Sequence, residues 1–477
     1  MKFNGSLNRR DFISTITGAA AASLLTFDKR AIAREEPHIS LADDYLGRLC
    51  YNENPLGPAP AVMKTLADNA YMAHRYPDWY SESLCSDIAT KYGVSSANVI
   101  CGSGATEILR LCALAFATPG YNVVVPNPSY SQFPTDASLF GCSVRYASLD
   151  SEHGVSLSAI SSLINSSTKA VCITNPNNPT GTVLDDNELA TFIRAQPSRI
   201  TVIIDEAYLD YVPEITHHSA IDLVRENRNV VVIKTFSKVH GLAGARVGFA
   251  ITSSSNVSSM GNYQYIATLS RPSLEAARAA LKEDSHINET VTLANDMKDR
   301  CFQRFAEMGL SYIPSVTSFF MVDVGRNADE VRSLLASRGI YVRSGWGMTN
   351  HLRVSTGVKE DMDNFLDSLE DILSSMPPSG APVPLNTTEL FQATPNPFNS
   401  STMIRINLPE SRYTRLEIFD IQGRLVEKLV DGYLGPGQHS FVWHGTSSQG
   451  ITVASGAYFY RLTAGNDSIV RRMLMLK

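Results

Sequence analysis

Hydrophobic and polar positions follow two different periods between residues 41 and 373. Short apolar, β-branched runs predict strands at 98–101, 122–126, 170–174, 201–205, 229–236 and 246–251. Helical spacing predicts helices between several of them, among them 106–116 and 186–194. Apolar strands that alternate with helices indicate a mostly parallel sheet covered on both faces, so this region predicts a large α/β domain.

The elements that follow are fewer and form a second group. Residues 275–281 and 291–308 have helical spacing, and 319–324, 340–343 and 351–355 have the composition of strands. They predict a smaller α/β unit, and we assign both units to one domain at 34–375.

A Pro-rich linker at 376–391 separates this domain from a region of different composition. Short alternating strands follow at 403–408, 414–419, 439–443 and 457–462, divided by turns rich in Gly and Pro. They predict a small all-β sandwich at 392–477.

Charge and cysteine content narrow the possible partners. The 41 basic and 47 acidic residues give a net charge of −6, which provides no reason to expect nucleic acid or an anionic membrane as the main partner. The seven cysteines are odd in number and lack the paired C-x-x-C spacing of a zinc site, so we predict no metal. We interpret them as buried thiols rather than a disulfide framework, which is typical of folding in a reducing compartment.

The first 33 residues have the features of an export signal. Arg9 and Arg10 precede an apolar stretch from Ile13 to Leu25 and an Ala-Ile-Ala cleavage pattern. The stretch is too short for a stable membrane span, and the arginine pair resembles a twin-arginine signal; a Sec signal or a chance basic start are the alternatives. The twin-arginine route carries folded proteins. A protein with free thiols could therefore fold in the reducing cytoplasm and then reach a periplasmic, cell-surface or secreted location.

Lys238 carries the strongest chemical signal in the chain. It follows the apolar run 230–233 and precedes a Gly-punctuated segment with few other charges. Most lysines are solvated surface groups, but burial favours the neutral amine, which attacks carbonyl groups. Thr235 and Ser237 add hydroxyls nearby, and Arg246 adds a guanidinium suited to phosphate. These features alone leave the surface and nucleophilic interpretations open.

Ser237-Lys238 followed by Gly241, Gly244, Arg246 and Gly248 resembles the signature of fold-type I pyridoxal-phosphate (PLP) aminotransferases. Residues 41–373, about 70% of the chain, are most similar to the histidinol-phosphate aminotransferase group. The resemblance implies a fold-type I PLP transferase, with a mostly parallel large-domain sheet and a smaller α/β domain. It also implies PLP as the cofactor and Lys238 as the residue that forms a Schiff base with it and then moves the substrate proton.

The same resemblance gives roles to residues around the cofactor ring. Asp205, at the end of strand 201–205, matches the carboxylate that keeps the ring nitrogen protonated; a helix N-cap is the alternative. Asn178 and Tyr208 match the donors to the phenolic oxygen, although the Asn178 segment alone indicates only a turn. Tyr130 matches the aromatic residue that lies flat on the ring, with a core position as the alternative.

Further matches concern the cofactor phosphate. Ala105 and Thr106 lie where a strand meets a helix, and backbone N–H groups at such a helix start bind phosphate. Tyr76 matches a tyrosine that reaches the phosphate of the other protomer, which implies a homodimer. The remaining cofactor-binding residues implied here are Thr235, Ser237 and Arg246.

Three residues are implied in substrate binding. Arg353, in strand 351–355, matches the arginine that grips a substrate carboxylate with two hydrogen bonds. Arg343 matches a position that receives a distal acidic group, and Asn54 lies in a segment that closes over the substrate. One stretch departs from the pattern: 269–272 replaces an aromatic–Asn pair, so we assign no second-protomer contact there.

The C-terminal region opens with Pro395-Asn396-Pro397-Phe398-Asn399 and continues through 416–424, 456–462 and 471–477. It resembles the sorting domain of the type IX (Por) secretion system, which is related to a hook-capping immunoglobulin-like domain. This implies an immunoglobulin-like sandwich and passage across the outer membrane by export machinery. A generic carbohydrate- or protein-binding sandwich is the alternative.

Together these resemblances imply PLP-dependent transfer of an amino group from an amino acid or amino-alcohol phosphate to a 2-oxo acid, with 2-oxoglutarate as the expected acceptor. One alternative is a PLP-dependent decarboxylase on the same scaffold. Another is a catalytically idle exported surface or binding protein, against which the presence of Asp205, Lys238, Arg246 and Arg353 argues.

Overall fold

The computed structural model describes residues 46–212, 218–376, 387–394, 396–399, 401–448, 452–465 and 467–475. Residues 42–376 form one compact unit, and residues 377–477 belong to a second. The predicted signal peptide at 1–33 and residues 377–386 of the predicted linker lie outside the described residues.

A seven-stranded sheet forms the centre of the first unit. After β1 (Gly47–Arg48), which pairs elsewhere, its strands are β2 (Val99–Gly102), β3 (Asn122–Asn127), β4 (Ser143–Ser148), β5 (Thr168–Thr174), β6 (Thr201–Asp205), β7 (Val230–Thr235) and β8 (Gly248–Thr252). The order is β2-β8-β7-β6-β5-β3-β4, and only β8 runs antiparallel to its neighbours. This confirms the predicted mostly parallel sheet. The unpredicted strand, β4, is an edge strand with exposed polar positions, so it lacks the apolar run of a central strand.

Alternate residues of the central strands point to opposite faces of the sheet. In β7, Val230 and Val232 join one buried apolar cluster, whereas Val231 and Ile233 join another. The surrounding helices are α1 (Pro60–Asn69), α2 (Glu82–Tyr92), α3 (Gly104–Phe116), α4 (Gln132–Leu139), α5 (Leu157–Leu163), α6 (Asp186–Ala195), α7 (Ile221–Arg225), α8 (Ser254–Gly261) and α9 (Arg271–Ala280). Burial on both faces explains why these strands are continuous apolar runs.

The smaller part of this unit contains α10 (Asp284–Met308), β9 (Tyr312–Ile313), β10 (Phe319–Asp323), α11 (Ala328–Ser337), β11 (Ile340–Tyr341), β12 (Arg343–Gly345), β13 (Met348–Ser355) and α12 (Lys359–Ser375). An antiparallel sheet has the order β12-β13-β10-β9, and β1 pairs in parallel with β11. The prediction of a single strand at 340–343 was therefore wrong. Its two ends belong to different sheets, because the chain changes partner at the buried Val342.

The second unit is an antiparallel sandwich. Its strands are β14 (Glu389–Leu390), β15 (Thr402–Leu408), β16 (Arg412–Phe419), β17 (Leu425–Leu434), β18 (Gly437–Trp443), β19 (Gly456–Ala464) and β20 (Asp467–Met475). They form the sheets β14-β15-β18 and β17-β16-β19-β20 around a core that includes Trp443 and Tyr460. The pattern of apolar and polar residues predicts no strand at β14, β17 or β20. Strand β17 in particular has no buried residue and so little hydrophobic alternation.

No helix in the described part of the chain is long and apolar enough to cross a membrane.

Candidate active site

The predicted site residues gather where parallel strands end. Lys238 follows β7, Asp205 ends β6, and Asn178 follows β5. The carboxyl ends of parallel strands meet at one edge of a sheet, which is where ligands bind in open α/β folds. The sheet therefore brings together three residues that are far apart in sequence.

The amine of Lys238 points into the protein rather than into solvent. Its Nζ donates to the backbone carbonyls of Tyr51 and Asn52, both at 3.1 Å. It also lies 5.4 Å from the ring centroid of Tyr208. Two neutral carbonyls orient this amine, and among the residues that the structure describes no carboxylate forms an ion pair with it.

Asp205 is a buried carboxyl group. Its side chain accepts one hydrogen bond, from the backbone N–H of Ala207 at 3.2 Å, and it forms no ion pair within the described residues. Burial raises the pKa of Asp205 to about 6, against the opposing influence of the Ala207 hydrogen bond and of the Lys238 charge. A protonated pyridine nitrogen is the partner that such a carboxylate lacks, so this position fits the PLP ring.

The start of α3 and the loop after β7 form a narrow cradle. A Cβ atom on Gly248 would overlap the backbone nitrogen of Ala105 and the backbone of Gly104, and one on Gly104 would overlap the guanidinium of Arg246. The first N–H groups of a helix have no partner within it, so Ala105 and Thr106 offer donors there. Backbone donors beside a guanidinium are groups that suit a phosphate.

The side chains predicted to complete the phosphate site lie together. Arg246 donates from Nη1 to Ser237 Oγ at 3.3 Å and to the carbonyl of Ala243 at 2.9 Å. The Thr235 hydroxyl accepts from the backbone N–H of Ser237 at 3.1 Å. Arg246 has a φ of +56°, a conformation that L-residues rarely adopt, so its placement is enforced by the surrounding loop.

Arg353 is buried and forms hydrogen bonds to two parts of the chain. Its Nη1 donates to Asn178 Oδ1 at 2.8 Å, and its Nη2 donates to the carbonyl of Cys50 at 2.6 Å. Burial lowers the pKa of Arg353 to about 10. The Nε of Arg353 is buried and has no hydrogen-bond partner among the described residues, so this guanidinium is not saturated by its own chain.

Sequence reasoning missed Asn52, which links these groups. Its Nδ2 donates to the Tyr208 hydroxyl at 2.9 Å, its Oδ1 accepts from the Ser355 hydroxyl at 2.7 Å, and its backbone N–H donates to that hydroxyl at 2.9 Å. Asn52 has a φ of +53°, and Asn is among the few residues that tolerate this region. The Asn-Glu-Asn-Pro stretch indicated a special segment, but not which asparagine faces the site.

Asn54 occupies a supporting position. Its Nδ2 donates to the carbonyl of Val239 at 2.9 Å and to Thr290 Oγ1 at 3.0 Å, and its Oδ1 accepts from the backbone of Leu56. Because both amide hydrogens are used, the structure connects Asn54 to the loop after Lys238 and leaves its predicted contact with substrate untested.

Arg343 and Arg353 stand directly opposite each other on β12 and β13. The ring centroid of Trp346, in the turn between these strands, lies 5.8 Å from the guanidinium carbon of Arg343 and 5.1 Å from that of Arg353. Two cations and one indole thus share one end of the site.

Two predicted cofactor contacts are tyrosines with solvent-exposed rings. Tyr130 is 38% exposed, and burial still raises its pKa although a hydrogen bond from Thr106 opposes the shift. Tyr76 is 86% exposed and contacts none of the other predicted site residues of its own chain through a hydrogen bond within the described part. Its role at the site of another protomer stays a prediction.

A mixed seven-stranded sheet, an inward-facing lysine, a buried carboxylate and a backbone cradle for phosphate define a PLP-dependent enzyme of fold type I. Residues 46–369 match the family described as "Aminotransferase class I and II". The chain belongs to this family and is a PLP-dependent aminotransferase.

Individual relatives are similar over the same region. The chain is 33% identical to the histidinol-phosphate aminotransferase of Moorella thermoacetica and 35% identical to that of Caldicellulosiruptor saccharolyticus. These matches cover 69% and 68% of this chain, and 85% and 91% of the relatives. The crystal structure of histidinol-phosphate aminotransferase from Sinorhizobium meliloti in complex with pyridoxal-5'-phosphate is 26% identical, with a TM-score of 0.66 over 69% of this chain and 91% of that one. The chain is thus histidinol-phosphate aminotransferase-like.

The C-terminal unit has a match of its own. Residues 397–468 match the family described as "FlgD Ig-like domain". This confirms the predicted immunoglobulin-like sandwich.

Proposed function

We propose that this enzyme transfers the amino group of an amino-alcohol phosphate or an amino acid to 2-oxoglutarate. The observation that carries the proposal is the cross-strand pair of Arg343 and Arg353 beside the Lys238 site. Two neighbouring guanidinium groups favour substrates with two negative charges, and a phosphate monoester or a dicarboxylate meets that requirement.

The chain's own residues account for proton transfer and orientation. PLP, when bound, supplies the electron-withdrawing system that makes the substrate Cα–H acidic. Lys238 Nζ then carries the proton, since it is a basic atom at this end of the sheet, and the carbonyls of Tyr51 and Asn52 accept hydrogen bonds from its protonated form. Asn178 and Arg353 are held to each other, so each substrate enters an ordered pocket.

The test is a donor panel with 2-oxoglutarate as the common acceptor. Purified protein is assayed for glutamate formation with histidinol phosphate, aromatic amino acids and aspartate. We expect turnover that is abolished in Lys238→Ala and unchanged in Lys282→Ala, an exposed lysine outside the site. Release of CO₂ without glutamate would identify a decarboxylase instead, and no turnover with any donor would support a catalytically idle protein.

We also propose that the enzyme is a homodimer. Large aromatic side chains are exposed on two segments that meet where the Ala267 N–H donates to the Trp79 carbonyl at 2.7 Å. The exposed residues of this surface are Tyr71, Tyr76, Trp79, Tyr80, Tyr263, Tyr265 and Ile266. An aromatic patch of this kind is typical of protein interfaces.

Light scattering tests the dimer, and complementation tests a shared site. Lys238→Ala and Tyr76→Ala proteins are assayed separately and after mixing under conditions that exchange subunits. If Tyr76 serves the partner's site, mixed dimers contain one intact site and regain activity. A monomer in solution, or a dimer without regained activity, would contradict the shared site.

Export is the third part of the proposal. The twin-arginine pair at Arg9 and Arg10, the immunoglobulin-like unit and the free buried thiols support transport of a folded, cofactor-loaded enzyme out of the cytoplasm, with the C-terminal unit as the sorting module. Replacing both arginines by lysine is expected to retain the protein in the cytoplasm in fractionated cells, whereas Lys2→Arg leaves export unchanged. Equal distribution of the two variants would exclude the twin-arginine route.

A further inference from the structure

Trp346 occupies a turn position that favours other residues. Gly345 pairs with Met348, so Trp346 and Gly347 form a two-residue hairpin turn. Both turn residues have positive φ, +58° for Trp346 and +75° for Gly347. Turns of this kind favour Asn-Gly, Asp-Gly or Gly-Gly, because a bulky L-residue is strained at positive φ. Turn geometry therefore gives no reason for a tryptophan.

Hydrogen bonding within the described residues does not explain the tryptophan either. Trp346 is half-buried, and its indole N–H forms no hydrogen bond within the described part of the chain. Its ring contacts instead the guanidinium groups of Arg343 and Arg353, at 5.8 and 5.1 Å. The strained residue Trp346 thus contacts the two arginines that are predicted to bind substrate.

A continuous series of rings and cations connects Trp346 to the reacting lysine. The Arg353 guanidinium carbon lies 5.4 Å from the Phe319 ring centroid, and the Phe319 and Tyr208 centroids are 4.9 Å apart. Tyr208 in turn lies beside Lys238. Trp346 is therefore connected to the Lys238 site by side chains in direct contact with one another.

We infer that Trp346 determines donor specificity by contacting the side chain of the amino donor, and that it favours donors with a flat aromatic or imidazole ring. The inference rests on the proposed transamination. The two arginines attract any doubly charged substrate, whereas an indole face stacks only with a planar group. The indole N–H, which has no hydrogen-bond partner among the described residues, adds a donor beside the two arginines.

The most informative variant is Trp346→Asn, because it creates the Asn-Gly turn that the backbone favours while it removes the indole. Trp346→Phe retains an aromatic face. Leu334→Asn, which changes an exposed apolar residue on α11, serves as the matched control. Each protein is assayed with histidinol phosphate and phenylalanine as ring donors and with aspartate and O-phosphoserine as donors without a ring, at a fixed concentration of 2-oxoglutarate.

We expect Trp346→Asn to lower kcat/KM about tenfold for both ring donors and less than about threefold for the others, on the scale of a lost aromatic contact. Trp346→Phe is expected to keep most of the ring preference, and the control to match the unaltered protein. An equal loss for all four donors would overturn the inference, since it would mean that the indole only positions Arg353. So would an unchanged ring preference. Absence of turnover by the unaltered enzyme with all donors would instead reject the proposed function itself.

Discussion

Arg353 donates a 2.8 Å hydrogen bond from its Nη1 to the Oδ1 of Asn178, and both side chains are buried. The bond joins the loop after β5 to the last strand of the smaller sheet, so the residue predicted for the cofactor and the residue predicted for the substrate orient each other. The bond uses the Oδ1 of Asn178, and its amide Nδ2 has no hydrogen-bond partner among the described residues, so Nδ2 can donate to a ligand.

We expect Asn178→Ala to lower kcat/KM more than the loss of one small side chain would suggest. The change leaves a buried guanidinium nitrogen of Arg353 without its acceptor, which costs about 1–3 kcal/mol. We expect kcat/KM to fall about tenfold or more, with Asn178→Asp retaining the acceptor and part of the activity. Steady-state kinetics with one donor and acceptor measure this, and an Asn178→Ala enzyme of normal kcat/KM would contradict the coupling.

The cofactor-free protein is expected to lose stability as pH rises through about 6. The pKa of Asp205 is raised by burial from its ordinary 3.8 to about 6, so the folded state binds this proton more tightly than the unfolded state. The stabilising contribution is fully present below pH 4 and disappears above pH 6, an effect of up to about 3 kcal/mol. Urea unfolding at pH 4.5 and 7.5 measures it.

Asp205→Asn provides the control for that experiment, because it removes the titrating group and preserves its shape. The variant should lack this part of the pH dependence while other titrating groups act in both proteins alike. Identical pH profiles for the two proteins would refute the assignment to Asp205.

Gly248→Ala and Gly244→Ala form a matched pair in the phosphate cradle. A Cβ on Gly248 would overlap backbone atoms of Gly104 and Ala105, whereas a Cβ on Gly244 meets nothing within 4 Å. We expect Gly248→Ala to separate β8 from the start of α3, to lower PLP affinity at least about tenfold, and to destabilise the protein by about 1–3 kcal/mol. Gly244→Ala should leave both quantities close to normal. Titration of both variants with PLP, followed by absorbance, measures the affinities. Equal PLP affinities would show that the cradle tolerates an added methyl group at Gly248.

Thiol reactivity is expected to depend on unfolding. All seven cysteines are free and buried. Burial raises the pKa of the Cys50 and Cys301 thiols to about 12, which keeps them in the unreactive thiol form. A chromogenic disulfide reagent should react slowly with the native protein and count seven thiols in denaturant. Fewer than seven after unfolding without reductant would indicate disulfide formation.

Local patterns predicted much of the fold, because the central strands are buried on both faces. Thr201–Asp205 has the predicted bounds, and the other predicted strands of the main sheet agree to within two residues at each end. The predicted helix at 275–281 instead begins at Arg271. There the Ser270 hydroxyl accepts from the Ser273 N–H at 3.2 Å and Pro272 occupies the first turn, which are helix-start signals that sequence analysis overlooked.

The site could be predicted where its functional residues lie at the ends of strands. Resemblance indicated Lys238 and Asp205, and the parallel sheet explains why they are neighbours. The partners of Arg353 could not be predicted, since Asn178 and Cys50 are 175 and 303 positions away in the chain. Trp346 was also missed, because its importance depends on a backbone angle and on two guanidinium contacts that no local pattern encodes.

The hydrogen bonds of Asn52 have a consequence for the order of events during synthesis. Asn52 contributes a carbonyl to the Lys238 amine, and its side chain and backbone are held by Ser355, 303 residues later. A nascent chain that includes Lys238 but does not yet include Ser355 lacks these hydrogen bonds. The reactive centre can therefore be finished only when nearly all of the aminotransferase region has left the ribosome. The Lys238 site is thus complete only in chains whose aminotransferase region has been translated nearly to its end.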